Sequence, residues 1–252
     1  GQHAVASEGR LAALSLEGRV GAIDPNGREL WSTPVPLGEQ GMGSCWFLPG
    51  DAAICALAPG EEDMDVLVLI DAATGEILDR EETDTVAAWP FQFGHSGSGW
   101  HGLSVGYGQN GSVTRWVDTR DGITVCPAFD NMCAFVGGVS PDGSRYVTYP
   151  HPACEVLSVN SFPSAALEVS VTESGLFGER RSGGQVWGIQ NAGYLDDERI
   201  LVSPDGLPPV VLAAQDLSVI AEVEYPSSGD RSVCGPQAAD GTWTTNDPVR
   251  LV

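Results

Sequence analysis

Short bends recur along this chain at a regular interval, and that recurrence constrains its fold more than any single residue does. They fall near Gly9 (SEGR), Gly50 (LPGD), Asp142 (SPDGS), Asp197 (LDDER) and Asp240 (AADGT). Asp-Gly and Pro-Gly pairs supply the backbone conformations that tight bends require. Neighbouring bends lie about 40 to 55 residues apart, except for one gap of about 90, which is the spacing of a repeat architecture. Halfway along that gap lies GHSGSGWHG, residues 94 to 102, whose glycines occupy the place of a missing bend.

A second class of turn follows each bend by about 20 residues, as one more hairpin per repeat requires. It reads apolar-apolar-Asp and then turn residues: AIDPNGRELW, LIDAATGEIL and WVDTRDGITV, with AAQDLSVI and SVNSFPSAAL as weaker copies. Aspartate here can bond the backbone of its own turn. A third set of breakers lies between the two classes: LEGR, APGEED, GQNG, PHPA, GLPP and NDP. The segments between turns, such as DVLVLID, SRYVTY and ERILVS, are β-branched or aromatic runs of strand length, and none keeps a helical period for three turns. Three hairpin turns per repeat make a four-stranded antiparallel unit. The expected fold is therefore all-β: a single β-propeller domain over residues 1–252, of about six four-stranded blades, with seven as the alternative count. The approximate blades are 1–40, 41–84, 85–129, 130–176, 177–227 and 228–252, the last one incomplete.

VSPDGSRYVTY resembles the inner hairpin of WD40-type and TolB-type propellers, and LIDAATGEIL and AIDPNGRELW resemble the outer turn of YVTN-type and quinoprotein-like repeats. Taken whole, the chain is similar to bacterial propeller-like proteins of about this length. The resemblance implies a fold and carries no activity with it, because propellers host many unrelated functions. Regular Trp-Asp dipeptides are missing, and the quinoprotein tryptophan recurs clearly only at Trp31, which argues against a quinone cofactor. No cofactor is expected.

The formal charge of -22 comes from 34 acidic residues against 12 arginines, with no lysine. That balance repels phosphate backbones and anionic lipid, so neither nucleic acid nor a membrane surface is an expected partner. No apolar run approaches the roughly 20 residues that cross a bilayer as a helix. The six cysteines show no metal-type spacing. Cys45 with Cys55 and Cys133 with Cys154 straddle hairpins and could be bridged, but the apolar neighbours of Cys45, Cys55 and Cys133 favour buried thiols. Thiols and the absence of an export signal point to the cytoplasm.

GHSGSGWHG nearly spells the nucleophile elbow G-x-S-x-G, but Ser98 stands where the last Gly belongs and no helix follows. His95 and His101 lack an evident carboxylate partner, so the stretch reads as a hairpin and no catalytic residue is assigned. On the opposite blade end, PGEEDMD and REETD bring together Glu61, Glu62, Asp63, Asp65, Glu81, Glu82 and Asp84. Clustered carboxylates suit Ca²⁺ or a basic peptide, but no D-x-D-x-D-G loop is present, and a solvated acidic rim explains them equally; no metal site is assigned. The longest loop, TESGLFGERRSGGQ, carries Leu176, Phe177, Arg180 and Arg181, and aromatic and arginine anchors are common at interfaces. His151 lies in PHPA on the same end, where a proline turn accounts for it.

The expected function is thus a non-enzymatic interaction or scaffolding propeller. Its partner, a protein or peptide of basic character, would sit on the b-c and d-a loops through Glu61, Glu62, Asp63, Asp65, Glu81, Glu82, Phe177, Arg180 and Arg181. The alternatives are a propeller hydrolase or lyase acting at the channel mouth, and a sensor or docking domain of a longer protein.

Overall fold

A computed structural model describes residues 3–6, 9, 11–16, 18–35, 44–48, 50–60, 64–85, 90–94, 100–106, 112–129, 134–150, 154–178, 188–204, 207–223, 233–236 and 243–245. The described strands form antiparallel sheets of consecutive neighbours. The first sheet is β1 (His3–Val5), β2 (Ala12–Leu16), β3 (Arg19–Ile23) and β4 (Glu29–Pro34). The second is β5 (Ser44–Phe47), β6 (Ala53–Pro59), β7 (Asp65–Asp71) and β8 (Ile77–Glu82). The third is β9 (Pro90–Gly94), β10 (Trp100–Gly106), β11 (Ser112–Asp118) and β12 (Thr124–Phe129). The fourth is β13 (Ala134–Val139), β14 (Arg145–Pro150), β15 (Val156–Ser161) and β16 (Leu167–Thr172). A short helix, α1 (Glu173–Phe177), leads to the fifth: β17 (Ile189–Asp196), β18 (Arg199–Pro204), β19 (Val210–Ala213) and β20 (Val219–Glu222). A two-stranded sheet of β21 (Val233–Pro236) and β22 (Trp243–Thr245) follows.

The chain divides into two compact units, one of Gly1–Gln92, Gly99–Gln109 and Val113–Pro127 and the other of Phe93–Ser98, Asn110–Ser112 and Ala128–Val252. In the first unit, β7 shows why its run VLVLI is apolar at every position. Val68 and Ile70 face the first sheet, in a core with Val20, Val35, Ile54 and Ala56. Leu67 and Leu69 face the third sheet, in a core with Leu57, Leu103, Val105 and Val117. A strand covered on both faces cannot alternate apolar with polar residues. Each such side chain, once buried, contributes about 1.5–3 kcal/mol.

The second unit has one continuous core between its fourth and fifth sheets, from Val147, Leu157 and Val159 to Ala192, Ile200, Val202 and Leu212. First strands lie against first strands: β1 against β5, β13 against β17 and β17 against β21. The approach is close enough that a Cβ on Gly137 would overlap the Ala192 carbonyl. Sheets fanning from their first strands are consistent with a propeller-like fold. The outermost strands are the exposed ones, with Leu30, Leu78, Leu167 and Ile220 in water.

In the first, second and fourth sheets the bends recur as one hydrogen-bond pattern. The N–H groups of Ala6, Leu48 and Ser140 donate to the carbonyls of Leu11, Ala53 and Arg145, while those of Gly9, Asp51 and Gly143 donate back, all at 2.8–3.0 Å. The third residue on is left-handed each time, with φ of 66° at Gly9, 56° at Asp51 and 72° at Gly143. β9 and β10, which the stretch 94 to 102 connects, are neighbours in the third sheet, and residues 95–99 lie outside the described residues.

The second class of turn corrects the alignment read from the sequence. Asp71, Ser161 and Ala213 open equivalent turns, each donating to the carbonyl five residues on, at Glu76, Ala166 and Ser218. The left-handed residues are Gly75, Ala165 and Leu217, with φ of 77°, 60° and 57°. Asn160 and Asp216 therefore do not occupy the Asp71 position, although their letters suggest it. Asp216 sits three places further and accepts from Ser218 N at 2.9 Å. Asp24 and Asp71 do bond their own turns, through Asn26 N and Ala73 N at 2.8 and 3.0 Å.

Candidate functional site

Consecutive antiparallel strands put two hairpins at one end of each sheet, and a third hairpin plus the link to the next sheet at the other. The two ends differ in construction. The hairpin-pair end repeats the turns just described and hooks neighbouring sheets together there. Trp31 Nε1 donates to the Ala72 carbonyl at 3.0 Å, Asp79 Oδ2 accepts from Ile123 N at 2.7 Å, and Asp197 Oδ1 accepts from Asp142 N at 2.8 Å. The Ile123 amide is the main reason the Asp79 carboxyl lies below its ordinary value.

At the connection end, the amide after the fourth strand donates to the carbonyl facing it on the third in four sheets, Val35 to Gly18, Thr83 to Asp65, Glu173 to Glu155 and Val223 to Pro209, at 2.7–3.0 Å, and side chains add different contacts to it. In the second sheet, Asp65 N donates to the Thr85 carbonyl and Thr83 N to the Asp65 carbonyl, both at 2.8 Å. Thr85 Oγ1 then donates to Asp65 Oδ2 at 2.7 Å, so a carboxylate 1% exposed is satisfied locally. Next to it, Asp84 receives two bonds from Arg115 of β11, Nε to Oδ1 at 2.6 Å and Nη2 to Oδ2 at 2.7 Å. That arginine holds the Asp84 carboxyl below its usual range. The pair is lopsided, with side-chain exposure of 6% for Arg115 and 60% for Asp84.

In the fourth sheet, Glu173 N donates to the Glu155 carbonyl and Glu173 Oε1 accepts from Ile189 N, both at 2.7 Å. Thr172 caps α1 by accepting from Gly175 N at 3.1 Å. Glu173 and Phe177 are buried on its inner side. Residues 173 and 189, on either side of the longest connection, are thus fastened to each other.

Several of the expected site residues find different places. Asp65 belongs to this internal bracing and not to a solvated rim. Phe177 is 3% exposed in the second unit's core, because a helix rather than a loop follows β16. Glu81 and Glu82 are exposed at the end of β8. Glu61, Glu62, Asp63, Arg180, Arg181, His95 and His151 lie outside the described residues. His101 is 6% exposed, and its Nε2 has no hydrogen-bond partner among the described residues. Burial pushes its pKa down to about 4, against the opposing pull of Asp118. Among the described residues, no three His, Cys, Asp or Glu side chains are grouped to hold a metal.

Sequence reading missed α1, Glu173 and the Asp84–Arg115 pair. An arginine inside the apolar strand SVTRWVD was the available signal, since a buried guanidinium requires an acceptor.

The cysteines divide. Cys154, in the β14–β15 connection, is disulfide-bonded, against the expectation of thiols, and its partner is among the side chains outside the description. Cys45, Cys55 and Cys126 carry thiols. Register excludes a Cys45–Cys55 bridge: Cys45 is opposite Ala56 and Cys55 opposite Trp46. The two sulfurs therefore point to opposite faces and enter different cores.

No protein-family model matches the chain, and no curated protein does. Solved structures match in fold. A protein of unknown function from Bacteroides caccae aligns with a TM-score of 0.51 at 15% identity, over 88% of this chain and 80% of its own. U3-55K aligns with a TM-score of 0.60 at 10% identity, over 88% of this chain and 65% of its own. Hydrazine synthase of Kuenenia stuttgartiensis aligns with a TM-score of 0.54 at 13% identity, over 84% of this chain and 64% of its own. At such identities the similarity is one of fold alone, a propeller-like arrangement of four-stranded antiparallel sheets.

Proposed function

We propose that the protein is a non-enzymatic interaction module, a propeller of about six blades, that binds a basic protein or peptide at the connection end of its sheets. The observation that supports this most is the contrast between the ends. Repeated turns at one end do the work of holding a scaffold together. At the other end one backbone bond recurs as well, but the side-chain contacts added to it differ from place to place: Thr85 to Asp65 within the second sheet, Arg115 of β11 to Asp84, and the Ile189 amide of β17 to Glu173. Non-repeating connections held on a repeating scaffold are where binding residues concentrate. The net charge of -22 and the exposed Glu81 and Glu82 favour a cationic partner and speed its encounter. The Cys154 disulfide favours a compartment that oxidises thiols over the cytoplasm expected from sequence.

The test is affinity capture at low and high salt with three variants of equal stability: Arg180→Ala/Arg181→Ala, Glu61→Gln/Glu62→Gln/Asp63→Asn, and Asp24→Asn at the hairpin-pair end. A basic partner released by salt, lost from the acidic-loop or the arginine variant and retained by Asp24→Asn, is the expected result. Capture indifferent to both connection-end variants, or no salt-sensitive capture by the native chain, overturns the reading.

A further inference from the structure

Each four-stranded sheet ends in an outer strand, β4, β8, β12, β16 or β20, whose far edge has no neighbour among the described residues. Such an edge offers unpaired N–H and C=O groups to any extended chain, so folds blunt it with prolines, charges or shortness. Four of the five are blunted. Pro34 stands at the end of β4 and Pro127 inside β12, and neither has an N–H to offer. β8 carries Asp79, Arg80, Glu81 and Glu82, and the Arg80 N–H is already donated to Asp79 Oδ1 at 2.8 Å. β20 has four residues and ends on Glu222. β16, reading LEVSVT, has six residues, no proline and one charge.

That charge sits at a bulge. Val169 faces Val159 and Leu167 faces Asn160, so Glu168 is the extra residue and the pairing beyond it is regular. The Glu173 N–H donates to the Glu155 carbonyl at 2.7 Å, and this fixes the alternation along β16. Val171 and Val169 bond inward to β15, while Thr172 and Ser170 turn their backbone N–H and C=O groups outward. Those outward groups have no partner among the described residues. On one face of the strand, Val169 and Val171 are half-buried against the second unit's core. On the other, Glu168, Ser170 and Thr172 are exposed, as is Val156 opposite Thr172 on β15.

We infer that the outer edge of β16 is a strand-addition site for an extended segment of the basic partner. This rests on the reading that the partner is basic. The segment extends the fourth sheet by one strand, its backbone closing the outward N–H and C=O groups of Ser170 and Thr172. Its side chains alternate, with apolar or β-branched ones on the face of Val169 and Val171 and polar ones on the other, an arginine or lysine lying beside Glu168. A second copy of this chain is a poorer occupant, because two chains of charge -22 repel each other. Thr172 opens onto α1 at the connection end, so an added strand and the loops of that end can engage one partner.

The probe is an acetylated, amidated peptide in which valine alternates with arginine and threonine. Its binding is expected to slow hydrogen exchange at the Ser170 and Thr172 amides and to leave Ile200 and Val202 in β18 unchanged. Two controls separate backbone pairing from charge. The same peptide methylated at every backbone nitrogen keeps its charge but has no N–H to donate. Ser170→Pro removes one outward N–H and keeps the bonds to β15. Each is expected to weaken binding roughly tenfold, as the loss of one or two backbone hydrogen bonds does. Equal binding of the methylated peptide overturns strand addition and signals general attraction to an acidic surface, and it decides alone if Ser170→Pro does not fold. Unslowed exchange at Ser170 and Thr172 overturns it as well. Slowing that rises with protein concentration and needs no peptide makes a second copy the occupant and overturns the basic segment. Capture of the salt-sensitive partner that is lost in Arg180→Ala/Arg181→Ala but kept by Ser170→Pro refutes the strand site and leaves the loop reading standing. Peptide-dependent slowing, with capture indifferent to the loop variants, removes the loops and leaves the edge.

Discussion

Acidification between pH 6.5 and 4 should destabilise the first unit through His101. The ring is 6% exposed, its Nε2 has no partner among the described residues, and burial lowers its pKa from 6.5 to about 4. An unfolded chain takes up a proton at this residue near pH 6.5, whereas the folded chain resists until about pH 4. Between those values the unfolded state binds more protons, so stability is complete above pH 6.5 and drains away as pH falls toward 4. At about 1.4 kcal/mol for each tenfold difference in proton affinity, the loss comes to roughly 3 kcal/mol. The carboxylates that the fold holds below their usual value, Asp84 by Arg115, Asp118 by Arg120 and Asp142 by Ser140, release their contribution only below about pH 4. The two effects therefore occupy separate windows. The assay is urea unfolding from pH 7.5 to 4.5, followed by tryptophan fluorescence, on the native chain and on His101→Leu. The native chain should lose roughly 2–3 kcal/mol over this range, and the variant should show most of that slope removed. Equal slopes in the two proteins would refute the argument, because the remaining histidines are common to both.

Removing Asp84 should cost more than removing Arg115, although they form one ion pair. Asp84→Ala leaves a buried guanidinium without its carboxylate and is expected to cost about 2–4 kcal/mol, against about 1 kcal/mol for Arg115→Met, which leaves a solvated carboxylate; denaturant midpoints rank them. Gly75→Ala should cost about 3 kcal/mol and Gly27→Ala about 1 kcal/mol. Both glycines are left-handed, but only at Gly75 would the new Cβ meet Trp31, 2.7 Å away. Ala165→Gly should raise stability by roughly 0.5–1 kcal/mol in thermal unfolding, since Ala165 holds a φ of 60° that glycine adopts freely. In the native chain a thiol reagent should label Cys126, and should reach Cys45 and Cys55 only after denaturation. Peptide mapping without reductant should find Cys154 linked, with Cys133 the expected partner from the hairpin spacing.

The strands and bends were legible because backbone conformation is written in local chemistry. Gly9, Gly75 and Gly143 mark left-handed positions wherever they occur, and a run such as VLVLI announces a strand covered on both faces. Legibility ended where a position is fixed by its neighbours rather than by its letter. Leu217 and Ala165 fill the left-handed slot that Gly75 fills in the second sheet, so Asp216 and Asn160 drew the eye to the wrong alignment. At the connection end the evidence is tertiary. Asp65 turns inward because Thr85 waits for it, Phe177 is buried because α1 carries it onto the core, and Asp84 is drawn to an arginine about 30 residues further along. Charge composition pointed to an acidic rim but could not separate the carboxylates that face water from those used inside.

The hooks between adjacent sheets carry a consequence for how such a chain can change over evolutionary time. The joints do not share one set of positions: an indole reaches a carbonyl at Trp31 and Ala72, while a carboxylate accepts from an amide at Asp79 and Ile123 on an outer strand and at Asp197 and Asp142 between two bends. Copying one module and splicing it in beside an unfamiliar neighbour would leave half of a joint facing nothing. Near-identical modules can be shuffled, but modules with private joints are locked in sequence, so growth or loss of a sheet should require paired substitutions on both sides of the seam.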